Sequence, residues 1–330
     1  MIFAMRRNAA IFLILAAPAL FAQSDGTVER AAPELSQIVP EGARIEKLGG
    51  GFGFTEGPVW IHEGYLLFSD IPNNVIRKWT PDGKFSIFRQ PSGYNGSNAP
   101  KGALVGSNGL TLDKSGRLTI CEHGNRRVTR LEKSGKLTVL ADKYEGKRLN
   151  SPNDAVYKSD GALYFTDPPY GLAKQDDDPA KEVPFNGVYR LAGGKLQVLY
   201  KDLTRPNGIA FSPDEKYLYV GNSDEKRKIW MRFQVKPDGT IGNGKMFYDV
   251  TSQSAEGLPD GMKVDTKGNL YCTGPGGIWI FSPSGKHLGT IKPAEVPANC
   301  AFGGQDGKTL YMTARTGLYR IQLNIAGVRP

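Results

Sequence analysis

Six times along the chain, a residue carrying a carboxyl or amide oxygen opens the same kind of segment. These openers are Glu56, Asn108, Asn153, Asn207, Asp260 and Asn299. In five of the six the next residue is Gly or Asp, and a short apolar run follows. Each segment then turns at a Gly- or Asp-rich dipeptide and continues into a run such as Leu163-Tyr164-Phe165 or Leu270-Tyr271-Cys272. The spacing is roughly 40 to 55 residues, the range in which internal repeats indicate propellers or solenoids. If the repeats close into a ring, the openers converge on its axis, and oxygen ligands gathered on an axis suit a hard metal ion.

The stretches between openers read as short strands. Pro and Gly punctuate the chain every few residues, and the runs between them are rich in Val, Ile, Leu, Tyr and Phe. The clearest unit starts at Asn108. Gly109 to Asp113 forms a first strand, Lys114-Ser115-Gly116 turns, and Arg117 to Cys121 returns. A loop from Glu122 to Asn125 leads to a third strand, Arg127 to Leu131. Lys133-Ser134-Gly135 turns again into Leu137 to Leu140. A four-stranded antiparallel meander of this kind is one propeller blade. The fold class expected is therefore all-β: a six-bladed β-propeller of four-stranded antiparallel blades. The last blade runs out of chain after about three strands, and Arg44 to Leu48 is expected to supply its outer strand and close the ring. In this topology the openers share one mouth with the loops between second and third strands. The longest of these, Asp167 to Asn186, carries Asp176-Asp177-Asp178 and is read as a lid or as a surface excursion.

The termini and the overall composition set further bounds. Arg6 and Arg7 precede an apolar run, Ala9 to Leu20, too short to span a bilayer, and Ala22 ends a small-residue cleavage context. Residues 1–22 are read as a signal peptide and 23–43 as a linker. Residues 44–323 are read as the catalytic propeller and 324–330 as a tail. The protein is thus expected to be exported, to the periplasm or the medium, and free of the membrane after cleavage. The formal charge of +9 falls to +7 once Arg6 and Arg7 are lost. The basic residues are scattered and no nucleic-acid motif is present, so no nucleic-acid partner is expected. Three cysteines make no disulfide framework and no Cys/His metal cluster.

Four openers stand out chemically. Glu56 and Asp260 are carboxylates, and Asn153 and Asn207 are amides. Such a set suits calcium or magnesium, leaving room for water and substrate. A resemblance then becomes specific. Phe54-Thr55-Glu56-Gly57-Pro58-Val59-Trp60, Asn108-Gly109-Leu110-Thr111, Cys121-Glu122-His123-Gly124-Asn125-Arg126-Arg127-Val128, Asn150-Ser151-Pro152-Asn153-Asp154, Phe165-Thr166-Asp167-Pro168-Pro169-Tyr170-Gly171, Arg205-Pro206-Asn207-Gly208 and Pro259-Asp260-Gly261-Met262 resemble the gluconolactonase branch of the senescence-marker-protein (regucalcin-like) family. The likeness runs in order from about residue 44 to 323. It implies one axial divalent metal, calcium first, with magnesium, zinc or manganese as alternatives. Its ligands map onto Glu56, Asn207 and Asp260, with Asn153 as a fourth ligand or a substrate contact. The family's acid–base role falls on Asp260. A substrate-contact role carried onto Arg148 lies five residues before Asn153, a spacing unlike the family's. Asn108 and His123 are expected to line the pocket. The implied activity is metal-dependent opening of a small sugar-type lactone. Phosphoester hydrolysis on the same calcium propeller, or non-catalytic binding of sugars or proteins, are the alternatives.

Overall fold

The computed structural model describes Met1 and residues 24–330, apart from Pro100, Gly102 and Asn243. The proposed signal peptide, Met1 aside, lies outside the described residues.

Six antiparallel sheets follow one another around a ring, a six-bladed β-propeller. Blade one comprises Thr55–Ile61, Tyr65–Asp70, Val75–Trp79 and Phe85–Arg89. Blade two comprises Ser107–Leu112, Leu118–Glu122, Arg127–Leu131 and Leu137–Ala141. Blade three is Ala155–Tyr157, Leu163–Asp167, Gly187–Ala192 and Lys195–Tyr200, and blade four Pro206–Phe211, Tyr217–Asp224, Arg227–Gln234 and Lys245–Asp249. Blade five is Met262–Val264, Leu270–Gly274, Gly277–Phe281 and His287–Pro293. Blade six takes Pro297–Gly303, Thr309–Ala314 and Gly317–Gln322 from the end of the chain and Glu46–Gly49 from near its start. The closing strand sits close to its expected place, with Glu46 opposite Arg320 and Lys47 opposite Tyr319. The Glu46 carboxylate also accepts from the Arg320 guanidinium at 2.7 Å.

Inner strands such as Thr55–Ile61 and Pro297–Gly303 are buried along their whole length. Neighbouring blades cover both faces of them, so the in–out alternation of a half-exposed strand disappears. The core lies in the gaps between blades, where Trp60 of blade one stacks on Tyr311 of blade six, and within blades, where Phe165 stacks on its cross-strand partner Tyr189. The opposite rim is made of tight turns. Asp113 Oδ1 accepts from the backbone N–H of Ser115 and Arg117, and Asp265 Oδ1 from Lys267 and Asn269. Gly116 and Gly268 complete these turns at φ +73° and +86°, where a Cβ would be strained.

Residues 24–43 correct the linker expectation. Gly26–Arg30 adds a fifth strand to blade five, paired with His287–Pro293. Pro33–Gln37 forms a 3₁₀ turn, and Leu35, Ile38 and Val39 are buried among blade-five and blade-six side chains. The prolines and charges masked this short apolar set. The end of the chain is also docked: Val328 N–H donates to Val264 C=O at 2.9 Å, and Gly327 packs against the Phe302 ring.

Candidate functional site

Each opener lies at the start of an innermost strand, and in four blades a β-bulge sits beside it. The register slips between Glu56 and Val59, Ser107 and Leu110, Pro206 and Ile209, and Pro297 and Asn299. A bulge bends its strand and re-aims a side chain. The following glycine has a second cause. A Cβ on Gly57 would sit 2.0 Å from Asn108 C=O, one on Gly109 2.5 Å from Asn153 C=O, and one on Gly208 2.1 Å from Asp260 C=O. The backbones of Asn108, Asn153 and Asp260 therefore press on the glycine of the blade before each. Gly109 N–H donates to Asn153 C=O at 2.7 Å, and Gly208 N–H to Asp260 C=O at 3.2 Å. Hydroxyls on second strands also hold opener carbonyls: Ser69 Oγ donates to Asn108 C=O and Thr166 Oγ1 to Asn207 C=O, both at 2.7 Å. The ring of openers is thus fixed through its backbone before any ligand binds.

Glu56, Asn108, Asn153, Asn207 and Asp260 all line one cavity of about 580 Å³ at the mouth of the channel, and His123 lines it too. Arg148 does not. It is exposed, its guanidinium reaching Asn125 C=O at 3.5 Å and not the cavity, so its expected substrate contact is corrected. It sits on a small hairpin, Lys143–Tyr144 with Lys147–Arg148, outside the inner strands that aim side chains at the axis. Asn299, the weakest-looking opener by sequence, lies beneath the cavity. Its Nδ2 donates to Glu56 Oε2 at 2.9 Å and to Asp154 Oδ2 at 3.4 Å. Its Oδ1 accepts from Cys300 N–H at 2.8 Å, which fixes the amide's orientation.

Asp154 takes the place that glycine holds in four of the other repeats, and it adds a third buried carboxyl near the axis. Burial raises the Glu56 carboxyl, and the charge of Asp154 raises it further. Burial also drives Asp260 well up, reinforced by Glu56 and then by Asp154. Asp260 keeps part of its surface open to the cavity while its Oδ1 is shielded. When one of the Glu56–Asp260 pair is protonated the two carboxyls hydrogen-bond. As two anions they leave Asp260 Oδ1 without a partner. Burial lowers His123 to about 4 against the hydrogen bond from Nδ1 to Leu104 C=O, so the ring is neutral near pH 7.

A hard divalent cation fits this donor set. Asn108 Oδ1, Asn207 Oδ1 and Asp260 Oδ1 are buried acceptors with no hydrogen-bond partner. Buried polar atoms of this kind ordinarily find one. Burial and neighbouring carboxyls oppose ionisation of Glu56 and Asp260, and a bound cation would favour their charged forms. Among the described residues no group of three or more His, Cys, Asp or Glu is placed to hold a metal, so such a site draws on amide as well as carboxylate oxygens.

The sequence reading passed over a second ring, formed where second strands end. Asp70 accepts from Gly53 N–H and the Arg77 guanidinium. Glu122 accepts from Thr129 and Arg127, Asp167 from the N–H of Asn150 and Ser151, and Asn222 Oδ1 from Arg205 N–H. Burial pushes Asp167 up to about 7 despite its two donors. The signal was present in Ser69-Asp70, Cys121-Glu122, Thr166-Asp167 and Gly221-Asn222, each ending a strand-like run. These groups hold the rim loops in place.

The 167–186 loop is a wall. Asp176 ion-pairs with Arg205 and accepts from Asn186 Nδ2 at 3.0 Å, and Lys181 lies 3.7 Å from the same carboxylate. Tyr170 and Gln175 from this loop face the cavity alongside Arg205. Tyr170 OH donates to Ser223 C=O at 3.3 Å.

The SMP-30/Gluconolactonase/LRE-like region model matches residues 54–316, most of the chain and all six openers. The chain belongs to this family. A gluconolactonase from Zymomonas mobilis is 40% identical over 314 residues, covering 92% of this chain and 87% of that protein. A 6-deoxy-6-sulfogluconolactonase from Pseudomonas putida is 33% identical, covering 78% and 82%. Among solved structures, a gluconolactonase from Xanthomonas campestris superposes with a TM-score of 0.79 at 32% identity, covering 94% and 98%.

Proposed function

We propose that this protein is a lactonase that opens a sugar-type lactone at the channel mouth, with Asp260 as the acid–base group and a divalent cation, calcium first, held by Glu56, Asn153, Asn207 and Asp260. The observation that carries this reading is the convergence of unpartnered acceptor oxygens, Asp260 Oδ1 among them, in one family-matched cavity. The gluconolactonase and sulfogluconolactonase relatives support the substrate class.

The bound cation would supply a Lewis acid for the ester carbonyl and would offset the charge of Glu56 and Asp260. The chain's own residues do the remainder. Asp260 Oδ1 takes a proton from the water that attacks the acyl carbon. The bond from that carbon to the ring oxygen breaks, and the proton passes to the departing oxygen, giving a hydroxy acid. Asn299 holds Glu56 at one oxygen through the cycle. Neutral His123 presents its unpartnered Nε2 as a hydrogen-bonding group for substrate hydroxyls.

The test is a panel of aldonolactones assayed with chelator-treated protein, then with calcium, magnesium, zinc and manganese restored. Turnover should require a cation and should be lost in Asp260→Asn while the fold, followed by circular dichroism, persists. Full activity in that variant would remove Asp260 from the chemistry. The amino-terminal pattern of Arg6, Arg7 and Ala9 to Leu20 supports an exported enzyme acting on external or periplasmic lactones.

A further inference from the structure

The mouth of the channel has two lobes. The first is the cavity of about 580 Å³ already described. The second, of about 540 Å³, lies on the blade-five and blade-six side and is lined by Lys228, Ser254, Glu256, Ala298 and Arg315. Phe54, Ser223, Glu225, Leu258 and Asp260 line both. Each lobe lies within the range of roughly 300–1,000 Å³ that encloses a drug-sized ligand, so a single hexonolactone ring fills only part of one.

The residues divide unevenly between the lobes. Glu56, Asn108, Asn153, Asn207 and His123 line the first lobe and not the second. The reacting ester therefore belongs in the first lobe, against Asp260. Tyr170, Gln175 and the pinned Arg205 also line the first lobe and not the second. A substituent on the lactone extends past Asp260, over Phe54, into the second lobe. The lining there is mixed: Lys228, Ser254, Glu256 and Arg315 bring charge or hydroxyl groups, and Leu258, Val296, Pro297 and Ala298 an apolar surface. Lys228 Nζ is held by Gln253 C=O at 2.9 Å, Arg315 pairs with Glu256 at the rim, and Ser254 is exposed. With the Phe54 ring at the junction, charged and hydroxyl groups beside an apolar surface suit a sugar ring, which offers both hydroxyls and an apolar face.

We propose that the substrate is an aldonolactone carrying a second sugar, the lactone of an aldobionic acid, with its lactone ring in the first lobe and its second ring in the second. This inference rests on the lactonase reading above and deepens it.

The test compares cation-loaded protein on glucono-1,5-lactone and on the 1,5-lactones of cellobionic and maltobionic acid, with spontaneous opening subtracted. The expected result is a kcat/KM for at least one disaccharide lactone on the order of tenfold above that for gluconolactone. A preference for gluconolactone, or equality, overturns the second-sugar inference and leaves the lactonase reading standing. Inertness to all three removes both. Ala255 lies on the exposed loop of the second lobe. Ala255→Trp should lower kcat/KM for the preferred disaccharide lactone by a factor several times larger than for gluconolactone. Equal losses would overturn the assignment of the second ring to this lobe.

Discussion

Asn299 donates its side-chain amide to Glu56 across the seam where blade six meets blade one, 2.9 Å from Nδ2 to Oε2, although 243 residues separate the two in sequence. The same amide reaches Asp154 at 3.4 Å. One neutral side chain thereby spaces two buried carboxyls that would otherwise face each other without a donor between them. Asn299→Ala should lower cation affinity by about 10- to 100-fold, the usual effect of removing a group that orients a ligand. Calorimetric titration of calcium into chelator-treated protein measures this directly. An unchanged affinity would make Asn299 a packing residue only.

Gly208 is where the blade-four backbone meets Asp260. An added methyl would lie 2.1 Å from Asp260 C=O, so Gly208→Ala has to move that strand. The expected cost is about 1–3 kcal/mol of stability, read from urea denaturation, together with a loss of turnover because Asp260 moves with its backbone. Gly135→Ala is the control. There nothing lies within 4 Å of the added methyl, and only the strain of φ +82° remains.

The raised carboxyls give the cation-free protein a pH dependence of definite sign. Burial, with the neighbouring carboxyls, raises Glu56 and Asp260 in the folded state, and unfolding returns both to the ordinary range. Between those values the folded protein holds more protons than the unfolded one. The contribution of these two groups to stability is therefore fully present below the ordinary carboxylate range and is lost as pH rises through the raised values. Cation binding requires both groups ionised, so affinity changes in the opposite direction and rises with pH. Thermal unfolding from about pH 5 to about pH 8 should show the chelated protein losing Tm and the gap to the calcium-loaded protein widening.

His123 should contribute no titration to catalysis in that range. Burial holds it at about 4, so it is neutral throughout. His123→Gln should change the level of kcat/KM but not the pH at which the profile bends. A shifted bend would mean that His123 takes up a proton during turnover.

The Asp176–Arg205 pair gives a test of the wall. Asp176→Ala frees Arg205 and one anchor of the 167–186 loop. An ion pair this exposed contributes little to stability, about 0–1 kcal/mol, so the Tm should hardly move. KM should rise with kcat nearly unchanged, since Tyr170 and Gln175 shape the cavity without touching Asp260's proton.

The sequence by itself determined the architecture and the main donors. A period set by Glu56, Asn108, Asn153, Asn207, Asp260 and Asn299 specifies six blades, because each repeat must bury its faces against the next. Oxygen-bearing residues at equivalent positions then have to meet at the axis. The cysteines are free and buried, as their low and odd number suggested. Only the tertiary structure decided the rest. Asn299 and Glu56 become partners because ring closure brings blade six against blade one, a relation that no local spacing encodes. Asp154 becomes a third axial carboxyl because it stands where other repeats have glycine. Arg148 falls outside because a two-residue hairpin strand carries it away from the axis. Residues 26–30 become a strand because the edge of blade five offers them unpaired backbone groups. Local pattern specified which segments face the axis, and long-range packing decided which of those side chains touch.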